Sequence, residues 1–135
     1  SCDKGVSIIK LLGEESGFVV SSSALSSTIV DLCLIPEVSF KMEDVLGYVD
    51  KVLTQKDFMV ITVAEGAGKI LLEEGGEADI GLFLKKRLDA HLKPKGGRTF
   101  YIEPSYILRS CPVNANDHVF CSRMARDAVH CAMRG

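Results

Sequence analysis

FMVITVAEGAG, residues 58 to 68, decides how this chain is read. Every residue from Phe58 to Ala64 is apolar or β-branched, with none of the alternation expected of a half-exposed strand. Gly66 and Gly68 then supply a tight turn, and Glu65 stands where the strand ends. A strand covered on both faces belongs to a parallel sheet, whose strands need crossover connections.

Working outward, the flanking segments supply those crossovers. Met42 to Gln55 carries Val45, Leu46, Val49, Val52 and Leu53 at spacings of three and four with charges between, which predicts an amphipathic helix. Val6 to Leu12 and Ile29 to Ile35 read as strands, the second stopped by Pro36, and Ser16 to Ser26 as a short helix of small residues. Ile80, Leu84, Leu88 and His91 or Leu92 predict a helix from about Ala78 to Lys93, ended by Pro94, Gly96 and Gly97. Thr99 to Ile102 reads as a fourth strand, and Asp117 to Met133 as a last helix. The expected class is α/β, in three layers (α/β/α), with a mostly parallel sheet.

Composition excludes several functions. The chain has 135 residues, 47% of them hydrophobic and 25% charged, and a formal net charge of -2. That balance gives no electrostatic footprint for nucleic acid or for an anionic membrane. Apolar runs such as Val30 to Ile35 are far too short to span a bilayer. The 5 cysteines, Cys2, Cys33, Cys111, Cys121 and Cys131, are odd in number and scattered, which suits reduced thiols inside a cell better than a disulfide framework. None has an evident base beside it, and no CxxC or HxxxH spacing occurs; His118 and His130 do not share a helix face. No metal site is expected, and Met59, Met124 and Met133 read as core filling. Because it opens at Ser1 without a methionine, the chain is expected to be a piece of a longer protein.

Open parallel sheets bind ligands at the carboxyl ends of their strands. The loops there are GEESG (13 to 17), PEVSF (36 to 40), EGAG (65 to 68) and EPSYILR (103 to 109). A loop glutamate alone is usually just solvated. In EGAG, however, Glu65 follows a buried strand directly and can accept hydrogen bonds from sugar hydroxyls, while the glycines lack dinucleotide-fingerprint spacing. Gly13 marks a second turn where a ligand can approach the backbone.

The strings SIIKLLGEESGF, VDLCLIPEVSF, VITVAEGAGK, DIGLFLKK, YIEPSYILRS and VNANDHVFCSRMARDAVHCAM occur in this order, and through them the chain resembles 6-phosphofructokinases of the plant and protist type. The resemblance implies one half-domain of a two-domain fold across residues 1 to 135, in a parent that phosphorylates fructose 6-phosphate in glycolysis. It also implies ATP or pyrophosphate as donor, magnesium as cofactor, a homo-oligomer or a longer chain as partner, and the cytoplasm or a plastid as location. By the same resemblance Gly13, Glu65, Tyr106 and Arg109 are substrate-binding, Arg109 because its planar fork suits a phosphate.

Departures from the pattern stand beside these matches. Where the family reads Met-Gly-Arg, this chain reads Leu12-Gly13-Glu14, and Phe100 occupies a position that is basic in related members. Replacing arginine by glutamate changes the charge by two units. Each unit interaction is worth about 4 kcal/mol at ~4 Å and an effective dielectric of ~20, before screening. The family's donor loop and the string bearing its catalytic aspartate do not occur here, so no catalytic residue is expected in this chain. The alternative implied is a catalytically degenerate binding or assembly module.

Overall fold

The computed structural model describes residues 4–27 and 29–104, all within the compact unit Ser1–Ser105. The last helix expected from the sequence, Asp117 to Met133, lies outside the described residues.

Strand β1 (Gly5–Leu11) is followed by helix α1 (Phe18–Ser26), β2 (Leu32–Leu34), α2 (Met42–Gln55) and β3 (Phe58–Ala64). Then come α3 (Lys69–Gly75), α4 (Ile80–Leu92), a 3-10 turn (Lys93–Lys95) and β4 (Arg98–Ile102). The strands form one sheet in the order β2-β3-β1-β4, and every pair is parallel. β3 sits at its centre, and from Met59 to Ala64 no residue is more than 7% exposed. The expectation drawn from its unbroken apolar run therefore holds, although Phe58 at the edge is about half exposed, at 47%.

Chain direction fixes the layers. β1 to β2 moves one way across the sheet, and β2 to β3 to β4 moves the other. With right-handed crossovers, such a reversal puts α1 on one face and α2 and α4 on the opposite one. The side-chain contact between His91 of α4 and Asp50 of α2, at 2.8 Å, agrees with that placement. Val6, Ile8, Met59 and Ile61 point into the α2–α4 layer and are fully buried beside Val49, Leu84 and Leu88.

Boundaries elsewhere differ by a residue or two, and three features depart from the sequence reading. The second strand runs only from Leu32 to Leu34, and Ile29 is 66% exposed. Asp31 is the reason: its carboxylate accepts from the Val60 amide at 2.9 Å and pairs with Lys56, so a side chain meets the need that a longer ladder would meet. Helix α1 starts at Phe18 instead of Ser16, because buried Gly17 takes the cap position against Ile35. Finally, Lys69–Gly75 forms a helix where only the preceding turn was expected. Gly68 and Gly76 flank it in left-handed conformation, which glycine adopts without strain.

Candidate functional site

The loops after β1 and β3 are joined backbone to backbone. The Glu65 amide donates to Leu11 at 3.0 Å, and the Gly66 amide to Gly13 at 3.0 Å, so the ladder continues past the strands. A Cβ at Gly66 would overlap the carbonyl of Glu14, and only glycine permits this approach. Gly13 has φ +142, a conformation that side chains rarely adopt. Its amide points at the Glu65 carboxylate, 3.4 Å away, a long hydrogen bond. Gly13 and Glu65 are thus neighbours at the carboxyl edge of the sheet, partly open to solvent.

The loop after β2 joins them from the other side. The Glu37 carboxylate accepts from the Gly17 amide at 2.7 Å, which covers the amino end of α1. A small cavity of about 100 Å³ separates this loop from the EGAG turn, lined among others by Phe40, Gly66, Gly68 and Lys69.

Leu12 is half-buried beside Gly13, and Glu14 is exposed with its backbone pressed on Gly66. Phe100 is different. It lies within β4 at the register of Ser7, and its ring, like that of Phe58, borders Gly5 at the amino end of the sheet. The altered position at Phe100 is therefore not gathered with Gly13 and Glu65. Tyr106 and Arg109 lie outside the described residues.

The sequence reading passed over Lys10. It is the penultimate residue of β1, only 8% exposed, and its ammonium sits 2.7 Å from Asp79 and 3.1 Å from Glu103. Burial favours the neutral amine, but Asp79, Glu103 and Tyr101 together hold Lys10 protonated well above the ordinary lysine range. Burial likewise acts against the charge on Asp79; Lys10 and the amides of Leu82 and Gly81 overcome it and keep this carboxyl below its usual range. Burial pushes the Tyr101 phenol up, against the pull of Lys10. The signal was available: a lone lysine inside SIIKLL is a charge in a buried strand, which requires partners. Lys10 does not replace the cation missing at position 14, because two carboxylates already hold it.

Among the described residues no group of at least three His, Cys, Asp and Glu side chains is placed to hold a metal ion. No described helix is long and apolar enough to cross a membrane.

A parallel sheet with helices on both faces, two glycine turns and a glutamate at its carboxyl edge is the kind of α/β frame that takes ligands at that edge. The family model for phosphofructokinase matches residues 1–132, and the chain belongs to that family. It is 39% identical to ATP-dependent 6-phosphofructokinase 1 of Arabidopsis thaliana, covering 100% of this chain and 32% of that protein. Identity to an ATP-dependent 6-phosphofructokinase of Amycolatopsis methanolica is also 39%, over 97% of this chain and 33% of the relative. The chain therefore spans about a third of these relatives. A pyrophosphate-dependent phosphofructokinase of Nitrosospira multiformis has a similar fold, with a TM-score of 0.69 at 19% identity, over 100% of this chain and 34% of that one.

Proposed function

We propose that this chain is the sugar-phosphate-binding half-domain of a 6-phosphofructokinase, with Gly13, Glu65, Tyr106 and Arg109 as its contacts to fructose 6-phosphate. The observation that carries the reading is the Gly13–Glu65 pairing: two loops far apart in sequence meet at the edge where such sheets take ligands. Glu65 offers an acceptor to sugar hydroxyls, and the open backbone at Gly13 allows close approach. The donor, ATP or pyrophosphate, and its magnesium would be held by parts of the parent outside the described residues, which do not supply a metal cluster. Glycolysis, the cytoplasm (or a plastid) and a homo-oligomeric or longer-chain partner belong to this same proposal.

Titration with fructose 6-phosphate, followed by amide chemical shifts, tests it. Shifts gathered at Gly13, Glu65 and Gly66 and at Tyr106 to Arg109 are expected. Saturating sugar phosphate that leaves those signals still would sink the reading. One observation favours the degenerate alternative: exposed Glu14 adds a negative charge to the loop that should meet an anion.

A further inference from the structure

We infer that Lys10 is a positioning residue: its buried ammonium, clasped by Asp79 and Glu103, latches the start of α4 and the exit of β4 to the strand that delivers Gly13. Three parts of the chain meet at this one nitrogen. β1 supplies Lys10 itself, three residues ahead of Gly13. Asp79 Oδ2 lies 2.7 Å from it, while Oδ1 of the same carboxylate accepts from the Gly81 amide at 2.8 Å and the Leu82 amide at 3.2 Å, capping α4. Glu103, 3.1 Å away, is the first residue after β4 and opens the segment EPSYILR.

The packing around the latch is built to admit it. A Cβ at Gly81 would overlap the Tyr101 ring, so glycine there lets the first turn of α4 lie on β4 with the Tyr101 side chain in place. The Tyr101 hydroxyl lies 3.4 Å from Glu103 and closes the other side. The Lys10 side chain is 10% exposed and its ammonium is taken up by two carboxylates, so its influence passes through the groups it holds. Removing it would leave two partly exposed carboxylates, Asp79 and Glu103, facing each other without their shared cation.

The consequence for ligand binding rests on the proposed function, and the test separates the two. Fructose 6-phosphate affinity is measured by chemical-shift titration of the 135-residue chain and of Lys10→Arg, Lys10→Met, Glu103→Gln and the Lys10→Met/Glu103→Gln pair, each kept where circular dichroism shows it folded. Lys10→Met is expected to weaken binding about tenfold or more, Lys10→Arg to restore most of it, and the pair to bind no worse than Lys10→Met alone. A folded Lys10→Met chain with unchanged affinity would overturn the inference; if that variant does not fold, Glu103→Gln with unchanged affinity does so. Should the unaltered chain not bind the sugar phosphate, the proposed function fails, and the latch is judged by urea unfolding of the same variants. Non-additive losses for Lys10 and Glu103 then support it, and additive losses overturn it.

Discussion

Glu14 shows how much a single side chain decides here. Its backbone is fixed, because its carbonyl packs against Gly66, while its carboxylate is exposed beside the Gly13 turn. Glu14→Arg changes the local charge by two units without disturbing that packing. It is expected to tighten fructose 6-phosphate binding about tenfold, which is about 1.4 kcal/mol. Calorimetric titration of both forms measures this, and equal affinities would mean that the side chain points away from the ligand. Gly66 carries the complementary constraint. Gly66→Ala forces a Cβ into the Glu14 backbone, and such overpacking costs about 1–3 kcal/mol. Urea unfolding should show that loss, and an unchanged midpoint would mean that the two loops part easily.

Elements differ in how plainly the sequence announced them. β3 and α2 were legible to the residue, because each has one unambiguous period: continuous apolar character in β3, and spacings of three and four in α2. β2 was overread because Ile29 and Val30 look strand-like, whereas Asp31 takes over the hydrogen bonding of Val60. Helix α3 was missed because its glycine-bounded stretch is short, and Gly68 at its start signalled a turn. Within the site, Gly13 and Glu65 were legible as turn chemistry. Lys10 was not, since its partners Asp79 and Glu103 are distant in sequence and only the fold brings them together. That cluster gives stability a particular pH dependence. The depressed Asp79 carboxyl contributes stability that is present above the unfolded value of about 3.9 and is lost as pH falls through its lower folded value. Lys10, raised in the folded state, contributes fully below about 10.4 and loses this only as pH rises through its higher folded value. Between roughly pH 5 and 9 the cluster should therefore contribute a constant amount. Lys10→Met should flatten the acid limb of a plot of urea midpoint against pH, because Asp79 loses its cation. An acid limb as steep as that of the unaltered chain would show that other carboxylates govern it.

At the scale of the molecule, recognition of a sugar phosphate and transfer of a phosphoryl group make different demands. Recognition needs acceptors for hydroxyls and a cation for the phosphate, and Glu65, Tyr106 and Arg109 are of the right chemical types. Transfer needs donor phosphates and metal held in line with an activated hydroxyl. The chain spans about a third of its relatives, and the donor-loop and aspartate strings that the family resemblance implies do not occur in its sequence. The buried cation of β1, Lys10, is committed to Asp79 and Glu103 and is unavailable to a transferring phosphate. The purified chain is therefore expected to show no fructose 6-phosphate phosphorylation with either ATP or pyrophosphate. It should still bind the sugar phosphate weakly, with a dissociation constant of about 1 mM, equivalent to about 4 kcal/mol. Coupled assays for fructose 1,6-bisphosphate with each donor, run beside the shift titration, separate the two demands. Turnover above the buffer rate would overturn this division, because it would require the catalytic groups to lie within these 135 residues.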